Sequence, residues 1–121
     1  MDLKDYIRSI KDYPKKGILF RDITTLIKDE LAFEKTINQI VEKSKKFKVD
    51  KIAAIESRGF VFASAVSYIL KKPFIMLRKK NKLPADVHSV DFQLEYGTAT
   101  IEVHKDSISE NDSVLIIDDL I

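Results

Sequence analysis

The sequence predicts an α/β fold in which a parallel sheet is flanked by helices and carries an antiparallel hairpin. Three observations lead to this prediction. Residues 114–117 are four consecutive aliphatic side chains, the pattern of a parallel strand buried on both faces. Residues 52–77 read as strand, helix and strand, the length of one βαβ unit. Residues 90–103 alternate between apolar and polar side chains around Gly97, as in an antiparallel hairpin.

The N-terminal part contains two candidate elements joined by a connector. The apolar residues of segment 1–12 have helical spacing and predict a first helix. Pro14 and Gly17 then interrupt regular structure. Two interpretations of segment 17–22, Gly-Ile-Leu-Phe-Arg-Asp, stay open. It is either a short edge strand with Arg21 paired to a neighbour, or an aromatic platform with a planar donor that holds a flat heterocycle.

The middle of the chain supplies the helices that flank the predicted sheet. Residues 31–47 carry an apolar stripe opposite lysines and glutamates, which predicts an amphipathic helix with a solvated face. A strand at residues 52–56, a helix at residues 60–70 rich in small side chains, and a strand at residues 74–77 follow. We therefore expect these two strands to be parallel, with a right-handed crossover between them.

Two carboxylates stand where the last predicted strand leaves the sheet. Asp118 and Asp119 directly follow the apolar run, and in open α/β sheets ligands bind beyond the carboxyl ends of the strands. Two acceptor-only side chains suit a ribose with two neighbouring hydroxyls, or a hydrated cation. The alternative is a solvated acidic turn, because turns favour aspartate.

Two further segments indicate an anion. The turn 56–59, Glu-Ser-Arg-Gly, precedes the predicted helix, whose backbone amides, together with the Arg58 guanidinium, suit a phosphate. The alternative there is a structural pair of Glu56 with Arg58. The basic loop, residues 78–82 (Arg-Lys-Lys-Asn-Lys), follows the next strand, and its position favours a second contact to a polyphosphate. A run of charge at that place is otherwise a solvated loop.

Composition limits the classes of function. At 121 residues the chain is one domain at most and long enough to bury a core. It has no cysteine, which excludes disulfide, zinc–thiolate and thiol-nucleophile chemistry and fits a cytoplasmic location. A net charge of +2 does not indicate nucleic-acid binding. No apolar run approaches the roughly 18 residues of a membrane span, so we expect no membrane partner.

Five segments in this order and spacing resemble the adenine phosphoribosyltransferases of the type I phosphoribosyltransferase family: 17–22 (GILFRD), 56–60 (ESRGF), 78–84 (RKKNKLP), 94–97 (LEYG) and 114–120 (VLIIDDL). The resemblance runs along the whole chain and implies the type I fold. It also implies purine salvage, in which 5-phosphoribosyl 1-pyrophosphate and adenine give AMP and pyrophosphate. Mg²⁺ would arrive on the substrate diphosphate, and the enzyme would be a cytoplasmic homodimer.

The resemblance assigns a role to each motif. The adenine pocket would be formed by Leu19, Phe20 and Arg21. Pyrophosphate would be bound by Ser57, Arg58, Lys79 and Lys82. The ribose hydroxyls would be held by Asp118 and Asp119. The hairpin, which its residue pattern alone predicts to be structural, would supply catalytic Glu95, near the purine N7 and the ribose, and Tyr96 of a loop that closes over the site.

The sequence departs from the family pattern at its C-terminal end. In the family the acidic pair is followed by a Thr- and Gly-rich loop for the 5′-phosphate, a helix and further strands, whereas this sequence ends at Ile121. We therefore expect a partial, truncated phosphoribosyltransferase domain over residues 1–121, with an N-terminal hood and base-pocket segment at residues 1–30. Such a polypeptide is expected to bind the activated sugar weakly and to turn over slowly or not at all.

Other functions stay open at this point. A phosphoribosyltransferase for a 6-oxopurine would share most motifs, although the short segment 19–21 favours adenine. A non-catalytic regulator that senses phosphoribosyl pyrophosphate would carry a DNA-binding domain, and nothing in the sequence resembles one. A stand-alone dimerisation module is a third possibility, based on the missing C-terminal part and the family's homodimeric state.

Overall fold

The computed structural model describes residues 1–94 and 97–119, which fall into two compact units, Met1–Glu42 and the chain from Lys43 onward. The first unit begins with a 3₁₀ helix at Leu3–Tyr6. Strand β1 (Arg8–Lys11) then pairs antiparallel with β2 (Leu19–Asp22). Helix α1 (Thr24–Ile27) follows, and α2 (Glu30–Ser44) begins in this unit. The assignment of residues 1–121 to a single domain with a hood at residues 1–30 stays a prediction.

The predicted helix in segment 1–12 is wrong beyond its first turn. Only Leu3–Tyr6 is helical, with Asp2 accepting a hydrogen bond from the Lys4 amide at 3.0 Å, and Ile7 is already extended. Short isolated helices are marginal in water, and pairing with β2 satisfies the backbone groups of β1 instead. The same pairing makes residues 19–22 a strand, as the edge-strand interpretation predicts, but Ile18, expected to pack against the core, lies outside β2 and is 45% exposed.

The second unit is built on a five-stranded mixed sheet. Its strands are β3 (Lys51–Ile55), β4 (Phe74–Lys79), β5 (Val87–Gln93), β6 (Thr98–His104) and β7 (Val114–Ile116), in the spatial order β5-β6-β4-β3-β7. Strand β3 is parallel to β4 and β7, whereas β6 is antiparallel to β4 and β5. Helix α3 (Arg58–Leu70) connects β3 to β4. The predicted βαβ unit, the hairpin and the α/β fold class are confirmed.

Small apolar side chains allow α3 to lie close to the sheet. Ala53 and Ala54 of β3 and Ala63 of α3 are completely or almost completely buried, beside Ile52 and Val66. Close packing of this kind excludes water from the interior of the unit. The end of β3 and the start of α3 are thereby held in one place.

Two predicted details of the sheet and helices are wrong. The last strand is not buried on both faces, because none of the three residues of β7 is buried and Ile116 is 52% exposed. Ile117, beyond the strand end, is the buried residue. Helix α2 ends at Ser44, so Phe47 lies outside it and is 63% exposed. Within residues 1–94 and 97–119, no helix combines the length and apolar character needed to cross a membrane.

We predict that Lys71→Gly stabilises the protein. Lys71 ends α3 in the left-handed conformation (φ 55°, ψ 47°), and its N–H donates to the Ser67 carbonyl. In that conformation a residue with a Cβ destabilises the folded state by about 1–2 kcal/mol. The gain from removing the Cβ is partly offset, because glycine has the larger conformational entropy in the unfolded state. The free energy of unfolding in urea should therefore rise by about 0.5–1 kcal/mol.

Lys72→Gly is the matched control, because Lys72 is not among the residues with positive φ in the described ranges. It should lower the free energy of unfolding. Equal effects of the two glycines would contradict the role assigned to the left-handed conformation.

Candidate functional site

The carboxyl ends of β3, β4 and β7 meet at one edge of the sheet, because these three strands run in the same direction. Four of the predicted site residues follow β3 and β7 at this edge. They are Ser57, Arg58, Asp118 and Asp119. The predicted loop starts too early, because Arg78 and Lys79 are the last residues of β4 and pair with β6; the rest of the basic loop leaves β4 at the same edge. The chain thus brings together groups that the sequence separates by some sixty residues.

Gly59 lies where α3 approaches the exit of β7 most closely. A Cβ at this position would lie 3.0 Å from Asp118 Oδ1 and 3.1 Å from the Ile117 carbonyl oxygen. Both distances are shorter than ordinary van der Waals contact, so the absence of a side chain is what permits the approach. The first turn of α3 therefore rests directly against the acidic pair, Asp118 and Asp119.

The turn that precedes α3 has an unusual backbone. The Glu56–Ser57 peptide bond is cis. The Ser57 carbonyl accepts the Phe60 N–H at 3.1 Å, which starts the helix at Arg58. The positive end of the helix dipole and the amides of its first turn therefore point toward the edge that carries the acidic pair.

Arg58 forms an ion pair with Asp119. The Nε–Oδ2 distance is 3.0 Å, and the two side chains are 44% and 8% exposed respectively. Burial raises the pKa of Asp119, and the hydrogen bond with Asp118 acts in the same direction, while the charge of Arg58 opposes both. The Asp118 carboxylate accepts the Asp119 backbone N–H at 2.8 Å. The edge therefore presents two adjoining acceptors next to one guanidinium.

Glu56 faces the end of β4. Its Oε1 accepts the Lys79 N–H at 2.8 Å and the Arg78 Nε–H at 3.2 Å. The Lys79 hydrogen bond, followed by that of Arg78, lowers the pKa of Glu56 although burial opposes them. The carboxylate thus connects the turn before α3 to the first residues of the basic loop. The sequence pattern proposed Arg58 as the partner of Glu56 and did not indicate this connection.

The basic loop turns at its third and fourth residues. Lys82 donates its N–H to the Lys79 carbonyl at 3.3 Å, and Asn81 has a positive φ of 67°. Glu102 of β6 accepts the Asn81 N–H at 2.9 Å. The side chains of Lys79 and Lys82 are exposed. No pattern in the sequence indicated the contact between Glu102 and Asn81, because this contact depends on β6 lying beside β4.

The predicted base-binding segment belongs to the first unit. Phe20 packs edge-on against Tyr13, with ring centroids 5.1 Å apart and an interplanar angle of 70°. Leu19 is half exposed, and Arg21 donates a hydrogen bond to Ser9 Oγ. Asp22 anchors the end of β2. Its carboxylate accepts hydrogen bonds from Arg8 Nε at 2.9 Å, from the Thr24 N–H at 2.9 Å and from Thr24 Oγ1 at 2.7 Å.

These partners change the acidity of Asp22. The Thr24 hydroxyl and Arg8 lower the pKa of this carboxyl to about 2. The group is therefore ionised at neutral pH and keeps the ion pair with Arg8, which lies directly beside the segment that contains Leu19, Phe20 and Arg21.

The predicted residues Glu95 and Tyr96 lie outside the described part of the chain. The hairpin that contains them is described up to Leu94 and from Gly97, and Leu94 donates its N–H to the Gly97 carbonyl at 2.9 Å. As for metals, no three His, Asp or Glu residues within residues 1–94 and 97–119 cluster as ligands. The two carboxylates of the acidic pair, one of them paired with Arg58, fit a cation that brings most of its own ligands.

Comparisons with known proteins identify the family of the chain. A family model described as a phosphoribosyl transferase domain matches residues 23–121. The chain is 84% identical, over all 121 residues, to the adenine phosphoribosyltransferase of Pelagibacter ubique and covers 69% of that protein.

Solved structures give the same result. The adenine phosphoribosyltransferase of Thermoanaerobacter pseudethanolicus has a TM-score of 0.90 at 45% identity, covering 94% of this chain and 66% of that one. The Saccharomyces cerevisiae enzyme, solved with an imino-altritol bisphosphate and adenine, has a TM-score of 0.89 at 31% identity, covering 97% and 69%. The chain thus spans about two thirds of the length of these relatives.

Proposed function

We propose that this chain, which belongs to the adenine phosphoribosyltransferase family, takes part in the transfer of the phosphoribosyl group from 5-phosphoribosyl 1-pyrophosphate to adenine. The products are AMP and pyrophosphate. The observation that carries the proposal is the meeting of Arg58 with Asp118 and Asp119 at the first turn of α3. One cation and two acceptors at that distance match a substrate whose diphosphate and sugar hydroxyls are neighbours.

The diphosphate would bind between the turn before α3 and the basic loop. Ser57 and the amides of the first helical turn supply donors, and Arg58 supplies a planar guanidinium. Lys79 and Lys82 would contact the diphosphate from the exposed side of the basic loop. These groups neutralise the charge that builds up on pyrophosphate as it leaves the sugar.

The sugar would be held by the acidic pair. Asp118 and Asp119 accept hydrogen bonds from the ribose hydroxyls, and their negative charge favours the positive charge that develops on the sugar as the bond to pyrophosphate breaks. Bound Mg²⁺ would neutralise diphosphate charge and is proposed to arrive on that group, because Mg²⁺ keeps several waters and prefers substrate phosphates. At this edge of the sheet, the acidic pair could face the hydration shell of the Mg²⁺ ion.

Adenine would be bound by the predicted base-pocket segment, residues 19–21. Phe20 offers an aromatic face, Leu19 its backbone groups, and Arg21 a donor beside the ring. Glu95 is proposed as the catalytic residue near the purine N7, and Tyr96 as part of the loop that closes over the site and excludes water. Both belong to the segment whose structure is not described. A homodimer and a cytoplasmic location complete the proposal.

The test is a transfer assay on the protein that carries this chain. With Mg²⁺ and 5-phosphoribosyl 1-pyrophosphate, adenine should give AMP and pyrophosphate in equal amounts, whereas guanine and hypoxanthine should give no nucleotide. Replacing both Asp118 and Asp119 with asparagine should lower kcat by about 10²–10³-fold.

Asp106→Asn, which removes a charge from an exposed turn residue, is the matched control and should leave the rate unchanged. Faster turnover with guanine than with adenine would reject the assigned base, and turnover that is insensitive to the acidic pair would reject the site.

A further inference from the structure

Two carboxylates, one after β3 and one on β6, accept the backbone amides of Lys79, the last residue of β4, and of Asn81, two residues farther on. Glu56, after β3, accepts the Lys79 N–H at 2.8 Å. Glu102, on β6, accepts the Asn81 N–H at 2.9 Å. The backbone of the loop is therefore fixed at two points, while the side chains of Lys79 and Lys82 extend from it and are exposed.

Glu102 is buried although it is charged. It is 8% exposed, and its second carboxylate oxygen accepts a hydrogen bond from Ser89 Oγ at 2.7 Å. Ser89 lies directly opposite Glu102 in the β5–β6 pairing. The hydrogen bonds from Ser89 and then Asn81 lower the pKa of Glu102, and the charge of Lys80 adds to them. The group is thus a carboxylate at neutral pH, and its hydrogen bonds are charge-assisted.

The contact to Asn81 matters because of the conformation of the loop. Asn81 is in the left-handed region with φ 67°, and the turn around it is closed by a bond of 3.3 Å between the Lys82 N–H and the Lys79 carbonyl. A bond of that length is at the weak end of the range. The shorter hydrogen bond to Glu102 is therefore the stronger restraint on the second half of the turn, which sets the direction of Lys82.

We propose that Glu102 is a positioning residue for the substrate diphosphate. It fixes the basic loop to the base of the β5–β6 hairpin, so that Lys79 and Lys82 are presented to the diphosphate in one geometry. The inference rests on the proposed function, because only there do these lysines contact a diphosphate. Since Ser89 and Asn81 share the carboxylate, Glu102 also joins the loop to the hairpin that contains Glu95 and Tyr96.

The experiment compares two replacements of equal size. In Glu102→Gln the amide oxygen can still accept the Asn81 N–H, and its NH₂ can donate to Ser89, whereas Glu102→Met keeps the length and burial but has no such acceptor. Titration calorimetry with Mg²⁺-pyrophosphate should show about tenfold weaker binding for Glu102→Met. Glu102→Gln should stay within about threefold of the unsubstituted protein, and the affinity for adenine should be unchanged in both.

Two further measurements separate positioning from a merely structural role. Glu110→Met makes the same replacement at an exposed glutamate and should bind pyrophosphate normally. Amide hydrogen exchange should accelerate at Asn81 but not at Lys79 in Glu102→Met, because Glu56 still holds the latter.

Normal pyrophosphate binding by Glu102→Met would overturn the proposal, and so would an equal loss of adenine and pyrophosphate affinity. If the unsubstituted protein binds no pyrophosphate, the proposed function fails and the role assigned to Glu102 fails with it.

Discussion

Arg58→Gln is expected to lower kcat/KM for phosphoribosyl transfer by about two orders of magnitude, as does the loss of one preorganised donor at other sites of developing negative charge. Glutamine keeps a donor but loses the charge and the planar fork that can bind two phosphate oxygens. The same change removes the cation that lies 3.0 Å from Asp119. A Lys in place of Arg58 should give an intermediate rate, because it keeps the charge and loses the fork.

The pH dependence distinguishes this effect from simple loss of structure. Burial already raises the pKa of Asp119, and Arg58 opposes that shift. Without Arg58 the pKa of Asp119 should rise further, so the acidic limb of the pH–rate profile should move to higher pH. Lys105→Gln, which removes one exposed positive charge elsewhere, should change neither the rate nor this limb. An unshifted limb in Arg58→Gln would contradict the assigned pairing.

Gly59→Ala is expected to disrupt both stability and ligand binding. Gly to Ala within a helix ordinarily stabilises by about 0.5–1 kcal/mol. Here the new Cβ would lie 3.1 Å from the backbone oxygen of Ile117 and 3.0 Å from the Asp118 carboxylate. Overpacking of this kind costs about 1–3 kcal/mol, which exceeds the gain. Either the start of α3 or the exit of β7 must then shift by a few tenths of an ångström, and pyrophosphate affinity should fall about tenfold or more.

Gly17→Ala is the control for this prediction. Gly17 has a φ of 87° and no atom within 4 Å of an added Cβ, so alanine there is strained by conformation and not by crowding. It should lower the free energy of unfolding by about 1 kcal/mol and leave pyrophosphate binding unchanged. If Gly59→Ala also leaves pyrophosphate binding unchanged, the close approach of α3 to the acidic pair is not needed for ligand binding.

The central part of the fold could be predicted because local and tertiary signals agree there. Segment 52–77 has an apolar strand, a helix rich in small residues and a second strand, and a right-handed crossover leaves few other arrangements. The same logic explains why Arg58 and the acidic pair meet, since parallel strands end at one edge.

The missed features depend on partners that are distant in sequence. Segment 1–12 has helical spacing, but beyond its first turn the pairing of β1 with β2 determines its conformation instead. Glu56 and Glu102 meet the basic loop across 23 and 21 residues respectively. The Glu102 contact requires β6 to lie next to β4, and apolar alternation alone does not specify which strand a hairpin joins.

The ion pair between Arg58 and Asp119 makes the two halves of the proposed substrate interdependent. A phosphate group that draws the guanidinium toward itself would leave a carboxylate that is only 8% exposed without its cation. A vicinal diol could then supply the missing donors, so occupancy at one end would raise affinity at the other, and by thermodynamic reciprocity the reverse would also hold. Molecules that offer only one of the two groups, such as free pyrophosphate or a simple sugar, would compete poorly with the intact donor.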